Sequence, residues 1–169
     1  MELNGKNVGV ILAVLAVLLG SLSLGAVRVG NGNTLKGVNV NQLDSQLGDR
    51  WTTSFQYIGV PTTSPVTGLN AGLASEISYQ NFTDSQGDIL VVIQFLFPNR
   101  DAAEAYSNST ALGAYLGSGL YAYVEGGVIG VQGVSGNLVV KVLFVGGPSS
   151  STHVTLSSLV SLTQALLKA

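Results

Sequence analysis

Enzymatic chemistry needs a nucleophile beside a base, a set of metal ligands, or two carboxylates held close together, and this chain is short of all three. It contains no cysteine and one histidine, His153. Thiolate zinc sites, thiol nucleophiles, thiol redox steps and multi-histidine metal centres are therefore excluded. His153 lies between a Ser/Thr stretch and the last helical pattern with no carboxylate nearby. A general base there lacks its orienting partner, so it reads as a loop or cap residue. Asp84 and Asp88 flank the turn DSQGD. Calcium takes about six to eight oxygens, and the dense alternation of an EF-hand loop is missing, so both read as solvated turn carboxylates. Glu76, Asp101, Glu104 and Glu125 are scattered, with no spacing that pairs two as acid and base. The expectation is a non-enzymatic protein with no catalytic residue, no metal ligand set and no cofactor.

Glycines and aromatics are the more suggestive residues. Gly127, Gly130, Gly133 and Gly136 recur every third position in GVIGVQGVSG. The run is too short and proline-poor for collagen, and it lacks the Lys-Ser/Thr ending of a phosphate loop. It predicts a kinked or bulged strand, with close approach of a partner backbone or glycan as the alternative. Trp51, Tyr57, Tyr79, Tyr106, Tyr115, Tyr121 and Tyr123 carry polar tips on large apolar rings. Such rings mostly roof a core, and where they reach the surface they suit sugar or protein contacts.

The elements that must position these residues begin with an apolar stretch. Residues 8–27 read VGVILAVLAVLLGSLSLGAV, without a charge. As a helix of about 30 Å it matches the hydrocarbon core of a bilayer. Two outcomes stay open. Residues 1–28 form a retained anchor, single-pass with everything after Arg28 outside the cytoplasm, or a signal peptide cleaved near Gly25, which secretes the rest. Either way the bilayer is the partner of residues 8–27. Asn81 and Asn108 head the sequons Asn-Phe-Thr and Asn-Ser-Thr, candidate glycosylation acceptors beyond the apolar stretch.

With 169 residues the chain is expected to hold one domain. Charged residues are 9% of it, against roughly 25% in an ordinary soluble protein. A net charge of −2 supplies no basic surface, so nucleic-acid binding is excluded as a main activity.

Residues 29–38 are rich in Gly and Asn and read as a flexible linker, leaving 39–169 as the extracytoplasmic domain. Within it, 40–47 predicts a short helix, 59–72 a loop, and 74–82 and 89–97 strands. Asp101 and Glu104 have capping-box spacing at the start of a helix. Residues 121–132 read as extended, 138–145 as an apolar strand, and Thr155 as the cap of a last helix with Leu159 and Leu166 on its stripe. SQGDILVVIQFLF and VSGNLVVKVLFVG lie about 49 positions apart and give the order strand, turn, apolar strand, helix twice. The fold class expected is α+β: an N-terminal transmembrane or signal helix, then an antiparallel sheet with helices on one face, built from two β-hairpin–helix units.

The composition resembles that of envelope and surface proteins of archaea, a likeness of style without a family motif. The function expected is a membrane-anchored binding or accessory domain of the cell envelope, its partner an envelope protein or glycan. The alternative is a structural subunit of a surface filament. The apolar helix before a β-rich head is similar to type IV pilins, but the processing site is missing where Gly5-Lys6-Asn7 stands.

Overall fold

The computed structural model describes residues 27–28, 35–48, 50–64, 66, 69–111, 113–147 and 153–169. One sheet organises them, in the order β1-β2-β3-β4-β8-β7-β6-β5. Seven strands run antiparallel: β2 (Thr52–Gly59), β3 (Glu76–Thr83), β4 (Ile89–Leu96), β5 (Ala114–Gly117), β6 (Leu120–Glu125), β7 (Val128–Ser135) and β8 (Leu138–Val145). A two-residue β1 (Val27–Arg28) joins the edge, parallel to β2. The central strands β4 and β8, ILVVIQFL and LVVKVLFV, are buried on both faces, hence continuous apolar runs instead of an alternation.

The three helices do not share a face, contrary to the expected layout. On one face, α1 (Val40–Leu47) and α3 (Leu156–Leu166) cover Phe82, Leu90, Val92, Val131, Val142 and Phe144. On the other, α2 (Arg100–Ser109) covers Phe95, Val139 and their neighbours through Ala103 and Tyr106. The result is a three-layer α+β sandwich with two separate cores. Both hairpin–helix units exist, β3-β4-α2 and β7-β8-α3, but the second is turned over. Leu90 faces the core under α1 and α3, whereas Val139, 49 positions on, faces the core under α2. Each faces away from its own unit's helix, so the units match internally, and the one-residue offset of their equivalence against the β4–β8 register puts the two helices on opposite sides.

The expected apolar helix at 8–27 lies outside the described residues except for Val27, which is in β1. Among the described residues no helix is long and apolar enough to cross a membrane. The 29–38 stretch is not a free linker at its end. Leu35 and Val38 are buried, and residues 35–38 form a strap across β3 and β4. The Leu35 amide donates to Glu76 Oε2 at 3.3 Å, and the Val38 amide donates to Gln80 Oε1. Gln80 Nε2 donates back to Val38 O at 3.1 Å, and Gln94 Nε2 to Lys36 O at 3.1 Å. Polar side chains buried in the sheet stand where they satisfy the backbone of this strap.

Local chemistry explains the remaining boundaries. Thr155 caps α3 in a reciprocal capping box with Ser158, as its position suggested. The start of α2 is capped by Asn99, whose side chain accepts from the Ala102 amide, and not by the Asp101/Glu104 spacing. Residues 121–132 are not one extended element. Gly126 and Gly127, both at left-handed φ, make the tight turn between β6 and β7. The glycine run also holds no bulge, since β7 and β8 pair from Val128 to Ser135 without a register shift. Gly133 is there for space: a Cβ would lie 2.6 Å from Leu167 Cδ1 and 2.9 Å from Leu120 Cδ2.

Candidate functional site

The residues singled out for chemistry are dispersed. His153 is exposed ahead of α3. Asp84 and Asp88 are structural and not solvated as expected: Asp84 Oδ1 accepts from the amides of Gln86 and Asp88, at 2.9 and 2.8 Å. Asp88 is buried, and its Oδ1 accepts from the Gly147 amide at 2.6 Å, tying the β3–β4 turn to the end of β8. Glu76 holds the strap, and Glu125 accepts from the Tyr123 hydroxyl at 2.6 Å, which raises that phenol above its ordinary value. Among the described residues no three metal-ligating side chains gather. Of the two sequons, Asn81 is buried inside β3, where the folded sheet leaves no room for a glycan, while Asn108 is exposed on α2.

What the fold does bring together lies under and beside α2. Strand register places Tyr57, Tyr79, Ile93, Lys141, Gln132, Tyr121 and Tyr115 in one transverse row on the α2 face. The middle of this row is sealed. Lys141 Nζ donates to Thr110 Oγ1 at 3.0 Å and sits 4.9 Å from the Tyr106 ring centroid and 5.9 Å from that of Phe95. Thr110 is the C-cap of α2, so a strand supplies the cation that α2 lacks in its own last turn. Burial pushes the Lys141 ammonium down to about 8, and burial pushes the Tyr106 phenol up to about 12, with the Thr110 hydrogen bond acting the other way. Lys141 has cation–π contacts and a hydroxyl in place of a carboxylate.

Gln132, fully buried beside it, donates from Nε2 to Ser107 O at 2.8 Å and to Ser107 Oγ at 2.9 Å. Both residues carry a sequence signal: a lone cation in LVVKVLFV and an amide in VIGVQGVS, each within an apolar strand.

Toward the free edge of the sheet the row opens into a cleft of about 300 Å³, lined by Glu104, Asn108, Tyr115, Gly119, Tyr121 and Val134. Tyr121 donates to Asn108 Oδ1 at 3.0 Å and thereby fixes the wall between strand and helix. The Tyr115 and Tyr121 rings stand 5.1 Å apart at 53°, and Tyr115 is 61% exposed. Glu104 is bridged by Arg100 at 2.6 Å, which raises the guanidinium above its ordinary value. The rim is a turn of three consecutive left-handed residues, Gly117, Ser118 and Gly119. Ser118 is the one non-glycine with positive φ among the described residues, a strained conformation that recurs at ligand clamps.

No protein-family model matches the chain, and no curated protein matches it either. Its fold is similar to that of a solved structure, the extracellular domain of PknH from Mycobacterium tuberculosis. The TM-score is 0.54 at 10% sequence identity, covering 78% of this chain and 90% of that one. That likeness is one of fold.

Proposed function

We propose that this chain is an envelope protein whose domain sits outside the cytoplasm, held to the membrane by its N-terminal apolar stretch, and binds a ligand without transforming it. The observation that carries the reading is the transverse row on the α2 face, sealed at Lys141 and Gln132 and opening at Tyr121 and Tyr115 into a cleft. A rigid sheet and a pinned helix hold the tyrosines and Asn108 in place before any ligand arrives, and such preorganisation favours binding. The extracytoplasmic location is supported by the low charge, by the apolar stretch at 8–27, and by a neighbour in fold that is itself an extracellular domain.

Two measurements test it on the full-length chain. Protease added to intact cells should degrade the domain, and a diverse fragment library should give amide shifts that converge on Asn108, Gly119 and Tyr121. Full protection in intact cells refutes the location. Fragments scattered over the surface with no preference for the cleft refute the site.

A further inference from the structure

The cleft selects a ligand chemistry, and the selection rests on the reading of this cleft as the ligand site. Tyr115 and Tyr121 form an inclined corner with centroids 5.1 Å apart, not a parallel-walled slot for a flat aromatic ring. A pyranose has apolar C–H faces and a polar hydroxyl rim, so it lies against a tyrosine face and still reaches hydrogen-bonding groups at the side. Those groups are present: Asn108 Oδ1 is taken by Tyr121, which leaves the amide N–H groups to donate, and the Glu104 carboxylate accepts. Donor and acceptor side by side is the complement of neighbouring hydroxyls.

Charge narrows the choice further. Glu104 is the one charged residue lining the cleft, and Arg100 already bridges it at 2.6 Å. Neither an anion nor a cation finds a net counter-charge there. The volume, about 300 Å³, lies at the small end of ligand sites and suits one or two sugar rings. Gly119 at the rim is also confined, since a Cβ there would meet Val134 Cγ1 at 3.1 Å. We infer that the cleft between α2 and the β5–β6 hairpin binds a neutral saccharide, the terminal sugar or disaccharide of a glycan.

The test is a titration of the ¹⁵N-labelled full-length chain, in a zwitterionic detergent free of sugar, with neutral trisaccharides built on glucose, mannose, galactose and N-acetylglucosamine. A uronate of the same skeleton serves as the charged comparison. At least one neutral saccharide should shift the amides of Asn108, Gly119 and Tyr121. Tyr115→Ala should weaken that binding about tenfold, the scale of one lost aromatic contact, with the melting temperature unchanged. Tyr121→Phe, which keeps the ring and drops the bond to Asn108, should bind more tightly than Tyr121→Ala. If every neutral saccharide leaves these amides unmoved at tens of millimolar while library fragments still converge on the cleft, the saccharide class is wrong and the site stands. A uronate that binds more tightly than every neutral sugar also overturns the inference.

Discussion

Replacing Lys141 with methionine should make this protein more stable, and the size of the gain follows from the site. Lys141 is partly buried beneath α2, and burial lowers its proton affinity from the ordinary 10.5 to about 8. At about 1.4 kcal/mol per pH unit, that interval represents about 3 kcal/mol of unfavourable desolvation at neutral pH. The contacts with Tyr106 and Phe95 and the bond to Thr110 go with the charge. Methionine keeps the length of the stem and its packing, so a net gain of about 1–3 kcal/mol is expected, as for other buried charges replaced by apolar residues.

The pH dependence gives an independent check. Between pH 8 and 10.5 the unfolded chain keeps the lysine proton and the native state has released it. The unfolded state then binds more protons, so the lysine's unfavourable contribution fades as pH rises through this window. The advantage of Lys141→Met should therefore be largest at pH 7 and small at pH 10.5. Urea unfolding of both proteins at the two pH values, followed by fluorescence of the buried Trp51, measures the difference. A variant less stable than wild type by 1 kcal/mol or more, equally at both pH values, would falsify the account. The lysine would then be a net anchor for α2 and not a desolvated charge.

Other perturbations probe the frame around the cleft. Leu159 is fully buried in α3, and Leu159→Ala should destabilise by about 2–5 kcal/mol in the same urea assay; a loss under half a kcal/mol means that α3 does not cover the sheet. Gly133→Ala pushes a methyl group into Leu167 and Leu120 and should destabilise by about 1–3 kcal/mol, with an unchanged midpoint counting against the close approach of α3. Asp88→Asn replaces the carboxyl group that accepts from the Gly147 amide and should destabilise by about 1–3 kcal/mol, detectable as a lower melting temperature. A neutral outcome there would restore Asp88 to the status of a solvated turn residue.

The elements were more legible than their arrangement. Val40–Leu47 and Leu156–Leu166 declare themselves by helical periodicity, and Ile89–Leu96 by an apolar run ended by Pro98. Leu90 and Val139 both face away from their own unit's helix, so the side each helix takes is set by the register of β8 on β4, a long-range pairing that composition does not encode. The strap is hidden in the sequence because GNTLKGV has the composition of a linker. Its fixation comes from Glu76, Gln80 and Gln94, about 40 to 60 residues away. The cleft is hidden for a similar reason: the sequence shows its tyrosines only as rings, and the register of β5, β6 and β7 puts two of them beside Asn108. Asp88 stands in a turn, where a carboxylate is usually wet, and the partner that holds it, Gly147, lies 59 residues away in sequence.

The sheet order divides the strands into two consecutive stretches that meet at a single ladder. β1 to β4 come from the first stretch, β8 to β5 from the second, and only the β4–β8 ladder joins their strands. Helix α2 belongs to the first stretch yet lies on strands of the second, and so the cleft takes Glu104 and Asn108 from one side and Tyr115, Gly119, Tyr121 and Val134 from the other. Neither stretch alone owns a complete site. Split between α2 and β5, the protein should give two fragments that can rejoin along the β4–β8 ladder, and the cleft should be complete only when they do. By linkage, whatever the cleft binds also holds the two fragments together.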